Sequence, residues 1–197
     1  MTRPDNENSS AARVAIIGGG YTGAALAIHL MRNAAGPLVL TLIDPSARPG
    51  RGIAYGTTDP EHRINLPSDR MSLFDADPTH ATRWLHEHGF LPDAKSTDDQ
   101  GHRYVARASY GAYVEAMLAE AIAGSAPRVA FSHERARATW IAPNSAGWSV
   151  SLSDGRALEA QASDRSQQRS RNPAPSCYEM VGLPHLTLTG CNAARQH

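Results

Sequence analysis

The sequence predicts an α/β fold in which helices cross a parallel sheet and a three-stranded antiparallel meander follows. Near the N-terminus, the apolar runs 14–17 and 38–43 flank a segment of helical periodicity, which is the order strand, helix, strand. Beyond residue 136, apolar and polar residues alternate, and Asp154-Gly155 marks a hairpin turn. A chain of 197 residues is long enough for one domain with a sizeable core.

The first strand leads into a glycine-rich turn. Residues 14–17 are short, apolar and rich in β-branched side chains, as in a buried strand. Gly18, Gly20 and Gly23 follow at the spacing G-x-G-x-x-G, and helical periodicity then continues until Gly36-Pro37. Strand, glycine turn and helix in this order are the context in which the motif binds a dinucleotide.

Each glycine has a separate predicted role in such a turn. Gly18 makes the tight turn off the strand, Gly20 lets a pyrophosphate approach the backbone, and Gly23 lets the helix lie close to the strand. The backbone N–H groups near Tyr21 and Thr22 begin the helix and therefore face the anion.

An acidic residue follows the second predicted strand. Asp44 ends the run 38–43 and lies about 20 residues beyond the glycines, where a ribose-binding carboxylate is expected. The alternative is a turn or helix-capping aspartate before Pro45. An acid here favours FAD or NAD over NADP and does not separate FAD from NAD.

The remainder of the first 160 residues supplies the other predicted elements. Residues 45–75 have little periodicity and form a long loop. A short helix is expected from Asp77-Pro78 to about His88, and an amphipathic helix with a core-facing stripe from Ser109 to Gly124. The remaining predicted elements are strands at 128–133, 137–142, 148–152 and 156–160.

Composition excludes several classes of function. The formal net charge is zero, and no apolar run has the length of a transmembrane helix, so neither nucleic acid nor a membrane is an expected partner. The two cysteines, Cys177 and Cys191, have no metal-type spacing and form no disulfide framework, which favours a cytoplasmic location. His86 and His88 lie two residues apart and share no helical face, so no metal site is expected.

Four segments together resemble a known family. They read "IIGGGYTGAALAIHL", "GRGIAYGTTDPEHRINLPSDRMS", "DPTHATRWL" and "RYVARASYGAYV". Over about residues 13–160 the chain resembles the FAD/NAD(P)-binding domain of the flavoprotein group that includes FAD-dependent urate hydroxylase and amino-acid N-monooxygenases. The resemblance implies a Rossmann-like fold with FAD at the first glycine turn. It also implies NAD(P)H as co-substrate and a reduced flavin that can react with O₂ to oxygenate a small-molecule substrate.

The resemblance also implies roles for individual residues. Gly18, Gly20 and Gly23 would face the FAD pyrophosphate, and Asp44 the adenosine ribose. Gly50, Arg51 and Gly52 would lie beside the pyrophosphate or the flavin, with a solvated loop arginine as the alternative for Arg51. Asn65 and Met71 would lie near the isoalloxazine; the alternatives are an Asx turn for Asn65 and a core position for Met71. No catalytic residue is assigned, because the cofactor supplies the chemistry.

The family pattern stops near residue 160. The polar segment "QASDRSQQRSRNPAPS" follows where another apolar strand is expected. We therefore expect a disordered lead at 1–12, an incomplete FAD/NAD(P)-binding domain at 13–160 and a disordered non-family tail at 161–197, as in a truncated or frame-shifted product. The leading function is an FAD-binding oxidoreductase domain of monooxygenase type. The alternatives are a non-catalytic dinucleotide-binding module and an inactive remnant; substrate, nicotinamide preference and oligomeric state stay open.

Overall fold

The computed structural model describes residues 11–90 and 95–164, and the fold begins with the predicted strand, helix and strand. These are β1 (Ala12–Ile17), α1 (Tyr21–Asn33) and β2 (Leu38–Ile43). The two strands pair in parallel from Ala12 opposite Leu38 to Ile17 opposite Ile43. The glycine turn and Asp44 therefore follow the carboxyl ends of neighbouring strands.

The predicted long loop contains two short helical segments. They are α2 (Gly52–Tyr55) and a 3₁₀ turn at Ser68–Arg70. Two longer helices follow, α3 (His80–Glu87) and α4 (Arg107–Ser125). Among the described residues, no helix is both long and apolar enough to cross a membrane.

The starts of α3 and α4 differ from the predicted ones. Asp77 does not cap α3, which begins three residues later; its carboxylate instead accepts hydrogen bonds from Thr79 and Arg83. Ser109 lies inside the first turn of α4, because the carbonyl of Ala106 accepts the N–H groups of Ser109 and Tyr110 and so begins the helix earlier. In both cases backbone geometry outweighs the side-chain capping preference.

The remaining strands form the rest of one sheet and the predicted meander. In chain order they are β3 (Val129–Glu134), β4 (Ala138–Asn144), β5 (Gly147–Leu152), β6 (Ala157–Ala160) and β7 (Ala162–Asp164). The parallel sheet has the order β3-β2-β1-β7, and β4, β5 and β6 form an antiparallel sheet. The predicted fold class is confirmed.

Strand β7 lies beyond the domain boundary that the sequence analysis places at about residue 160. Its three residues pair in parallel with β1, from Val14 opposite Ala162 to Ile16 opposite Asp164. Backbone hydrogen bonding places this segment in the sheet, although its sequence lacks an apolar run. The predicted lead at residues 1–10 and the predicted tail from residue 165 onward lie outside the described residues.

The parallel sheet is covered on both faces. Val14 and Ile16 of β1 pack with the helices α1 and α4, whereas Ala15 between them packs with the meander. Successive residues of a strand point to opposite faces, so both layers use the same strand. This explains why β1 and β2 are continuous apolar runs and not alternating ones.

Candidate functional site

The glycine turn has the geometry that its spacing predicts. Gly18 has φ +102°, a left-handed conformation that favours glycine, and its N–H donates to the carbonyl of Ile43 at 2.9 Å. A Cβ added at Gly23 would overlap the carbonyl oxygen of Gly18. The third glycine of the motif therefore allows α1 to begin directly against the end of β1.

The turn opens onto the start of α1. Gly20 is the N-cap residue, and its carbonyl accepts the N–H of Ala24 at 2.9 Å. Tyr21 and Thr22 occupy the first two helical positions. Their N–H groups have no acceptor within the helix, and the helix dipole adds positive potential at the same place. The turn can therefore hold an anion.

Asp44 points its carboxylate at the glycine turn. One carboxylate oxygen accepts the N–H of Gly19 at 2.7 Å, and the other accepts the N–H of Ser46 at 2.8 Å. A Cβ added at Gly19 would lie 2.9 Å from the Cβ of Asp44, so the middle glycine of the run 18–20 is required by this contact. Asp44 therefore forms the turn that was its alternative role, by accepting the N–H of Ser46. Its bond to the glycine turn was not predicted by the sequence analysis.

A second glycine-rich loop lies on the first. The N–H of Gly50 donates to the carbonyl of Gly19 at 2.6 Å. A Cβ added at Gly52, which has φ +55°, would lie 2.8 Å from the Cα of Gly20. The structure thus brings Gly50 and Gly52 against the turn. The two loops meet through a backbone hydrogen bond and a close contact between glycines, and together they form a cradle.

Arg51 is held by an acidic residue of α4. Its Nε donates to the carboxylate of Glu115 at 2.8 Å and its Nη1 to the carbonyl of Ala108 at 3.2 Å. The Arg51 side chain is only 17% exposed, so it is not a solvated loop arginine. Arg48 binds the same carboxylate through Nε and Nη2, at 2.8 and 2.7 Å.

The environment of Glu115 favours its charged form. Partial burial acts to raise the pKa of its carboxyl, but hydrogen bonds from Arg48 and Arg51 outweigh burial and hold the pKa below its usual range. Glu115 is separated from Arg51 by more than sixty residues of sequence. No local pattern indicated the pair, so sequence reasoning missed it.

Asn65 and Met71 lie in the loop before α3, in different surroundings. Asn65 is exposed and makes no hydrogen bond with other described residues, so the Asx turn considered for it is not formed. Met71 is half-buried against the main core, and its carbonyl accepts the Tyr110 hydroxyl at 2.5 Å. Met71 is thereby tied to the ring cluster beside the glycine turn.

This ring cluster consists of Tyr21, Tyr55, Tyr110 and Tyr113. The centroid of Tyr110 lies 6.0 Å from that of Tyr21, 4.9 Å from that of Tyr55 and 5.6 Å from that of Tyr113. Burial raises the pKa of the Tyr110 hydroxyl far above its usual range, so it stays a hydrogen-bond donor. The predicted apolar stripe of α4 is confirmed as core. Through Tyr110 it packs against Tyr21 at the start of α1.

A cleft opens beside Asp44 at the carboxyl ends of β1 and β2. It has a volume of about 180 Å³, and its walls include Ile17, Asp44 and Pro45 on one side and residues 136–141 on the other. Trp140 lies in this wall with 68% of its surface exposed. Among the described Phe, Trp and Tyr residues, Trp140 alone is exposed, whereas the others are buried or half-buried. An exposed aromatic surface of this kind is a candidate contact for a ligand. Sequence reasoning placed Trp140 only as a strand residue.

The described residues contain no group of three or more His, Cys, Asp or Glu that could hold a metal ion. The glycine turn, the carboxylate of Asp44 and the cleft are the chemical features that these residues bring together. They lie at the carboxyl edge of a parallel sheet, where open α/β folds bind their ligands.

Comparison with protein families gives a match over most of the described chain. A family of FAD-NAD(P)-binding proteins matches residues 15–163. The match begins in β1, ends in β7 and includes every site residue discussed above. It confirms the resemblance to FAD/NAD(P)-binding domains. Comparison with curated protein sequences gives no significant match.

Several solved structures are similar to most of this chain. The flavin-containing monooxygenase from Stenotrophomonas maltophilia is 22% identical over 78% of this chain and 37% of its own, with a TM-score of 0.49. FqzB is 14% identical over 78% of this chain and 36% of its own, with a TM-score of 0.50. At these identities the likeness is one of fold. The chain spans a little over a third of the length of these two proteins.

Proposed function

The chain belongs to the FAD-NAD(P)-binding family, and on that premise we propose that it binds FAD as part of a flavin-dependent oxidoreductase of monooxygenase type. The observation that carries the proposal is the cradle between the turn 18–23 and the loop 50–52. Its glycines let the two loops approach at backbone distance, since a Cβ added at Gly52 would lie 2.8 Å from the Cα of Gly20, and the start of α1 adjoins them. A pyrophosphate is an anion that needs such close approach.

The residues present fit the two ends of an ADP group. The free N–H groups of Tyr21 and Thr22 suit the pyrophosphate, since they lie at the positive end of the α1 dipole. Asp44 uses one hydrogen bond at each carboxylate oxygen and keeps further acceptor capacity for ribose hydroxyls. The adjoining cleft of about 180 Å³ is lined by the apolar residues Ile17, Trp140 and Ile141 among others, which suits adenine.

When bound, FAD supplies the redox chemistry, with NAD(P)H as the proposed reductant and a small molecule as the proposed substrate. The residues of this chain would bind and orient the dinucleotide. Asn65 and Met71 are proposed for the flavin side of the site, and the carbonyl of Met71 accepts a hydrogen bond from the hydroxyl of Tyr110. We propose a cytoplasmic location and no nucleic-acid or membrane partner, in line with the zero net charge and the two widely spaced cysteines.

The proposal is tested by titrating the purified protein with FAD and following the flavin fluorescence. Saturable binding at one FAD per chain is expected. Bleaching of the bound flavin by NADH or NADPH under anaerobic conditions then distinguishes an oxidoreductase domain from a binding module without turnover. A chain that neither retains nor binds flavin contradicts the proposal.

Asp44→Ala is expected to weaken FAD binding by at least tenfold. The substitution removes an acceptor for the ribose hydroxyls, and a hydrogen bond to a charged group contributes about 1.5–3 kcal/mol. It also leaves the N–H of Gly19 without its acceptor. Asp99→Ala, in an exposed loop, is the matched control and should bind FAD like the parent. Equal dissociation constants for Asp44→Ala and the parent would remove Asp44 from the site.

Trp140→Ala is expected to weaken FAD binding at least about fivefold, because stacking of a base on an aromatic ring contributes about 1–3 kcal/mol. Trp140→Phe keeps a ring in the cleft wall and should recover most of the affinity. The same titration measures both variants. A Trp140→Ala protein with unchanged affinity would place the adenine away from this wall.

A further inference from the structure

We propose that Glu115 of α4 is a positioning residue for the dinucleotide site, which it serves by fixing the loop 48–52 on the glycine turn. This inference rests on the proposed function, because the ligand whose binding depends on the fixed loop is a dinucleotide.

The carboxylate of Glu115 joins two arginines of one loop to one helix. It accepts a paired contact from Arg48 and a third hydrogen bond from Arg51, all at 2.7–2.8 Å. Hydrogen bonds between charged groups of this geometry are the strong ones in proteins. Glu115 is 28% and Arg51 17% exposed at the side chain, so solvent screens this pair less than the Arg48 contact, where the arginine is 63% exposed.

The backbone between the two arginines is enclosed on both sides. A Cβ added at Gly50, which has φ +104°, would lie 3.1 Å from the backbone of Glu115, so the loop lies directly on α4. On its other side, the N–H of Gly50 binds the carbonyl of Gly19. One residue therefore contacts both the helix that carries Glu115 and the turn that would hold the pyrophosphate.

A second close approach supports the same arrangement further along the loop. A Cβ added at Gly111 of α4 would lie 2.5 Å from the carbonyl oxygen of Tyr55 and 3.2 Å from the Cγ of Arg51. Because Gly111, one helical turn before Glu115, has no side chain, the end of α2 can pack against α4 there. The two contacts hold the whole segment 48–55 against α4, and Gly52 in its middle presses on Gly20.

The charges of Arg48, Arg51 and Glu115 allow the proposed role to be tested by the direction in which the affinity for an anionic ligand changes. Two arginines and one glutamate carry a net charge of +1, and neutralising Glu115 raises it to +2. Coulomb attraction alone would then strengthen the binding of an anionic ligand. Loss of loop position would weaken it, because the cradle would no longer be held in its binding geometry. The two effects have opposite directions.

The experiment compares Glu115→Gln with the parent in titrations with FAD, ADP and adenosine. We expect FAD and ADP to bind at least tenfold more weakly, with adenosine affected less than twofold, since adenosine lacks the pyrophosphate. Glu120→Gln, an exposed position on the same helix, is the matched control and should bind all three ligands like the parent. A general loss of stability would weaken the binding of all three ligands to the same extent, and that result would contradict the proposal.

A second variant separates position from charge and covers the case in which Glu115→Gln does not fold. Glu115→Asp keeps the charge but withdraws the carboxylate by one methylene, so weaker FAD and ADP binding by this variant supports a positioning role. Unchanged or tighter binding by the variants, in a parent that binds FAD, contradicts the role of Glu115 alone. A parent that binds neither FAD nor ADP contradicts the proposed function itself.

Discussion

Gly23→Ala is expected to destabilise the protein by about 3 kcal/mol, at the upper end of the range for overpacking. The added methyl group would overlap the carbonyl oxygen of Gly18, which is backbone and cannot rotate away. Relief requires α1 to move from β1, and that movement opens the core contacts of Ala24 and Ala27. Chemical denaturation followed by circular dichroism measures the free energy of unfolding.

Gly124→Ala is the control for this substitution. Gly124 also lies in a helix, α4, but a Cβ there meets nothing within 4 Å. Alanine should therefore stabilise the protein by up to about 1 kcal/mol through its higher helix propensity. If Gly23→Ala unfolded at the same denaturant concentration as the parent, that result would contradict the close packing of α1 on β1 at this glycine.

Gly20→Val is expected to abolish FAD binding. Gly20 caps α1 with φ −73°, a conformation that valine can adopt, so the effect comes from space and not from backbone strain. Gly52 packs on Gly20, since a Cβ added at Gly52 would lie 2.8 Å from the Cα of Gly20. The predicted role of Gly20 is to let the pyrophosphate approach the backbone, and a branched side chain would occupy that space. The expected loss is at least a hundredfold in affinity, measured by the same flavin titration.

The control is Gly36→Val, at a position where a Cβ meets nothing within 4 Å. It should bind FAD like the parent and unfold at a similar denaturant concentration. Circular dichroism of Gly20→Val should retain the helical signal of the parent. A Gly20→Val protein that holds one FAD per chain would show that the phosphate-binding turn lies elsewhere.

Local patterns were sufficient to predict most of the sheet. The strand β2 has the predicted bounds, and β1 is longer than predicted only at its start, because buried parallel strands are continuous apolar runs. The meander was predictable from its period of two and from Asp154-Gly155. Helix starts were less predictable, because the backbone of Ala106 and the turn before His80 determine them, not a capping side chain.

Contacts between distant parts of the chain could not be predicted in the same way. The spacing of Gly18, Gly20 and Gly23 is a property of one turn and is visible in sequence. The bonds of Glu115 to Arg48 and Arg51 depend on the packing of α4 against a loop more than sixty residues earlier. The exposure of Trp140 likewise results from how the meander meets the sheet, since alternation alone would not distinguish it from a half-buried strand residue.

The position of β7 has a consequence for how the protein is made. The inner strand β1 pairs on one side with β2, which follows within about 25 residues, but on its other side with β7, about 150 residues later. During synthesis on the ribosome, one edge of β1 therefore stays open until Ala162–Asp164 has left the exit tunnel. An open apolar edge invites pairing with other chains. Nascent chains in which β7 has not yet emerged should thus be the form most dependent on chaperones.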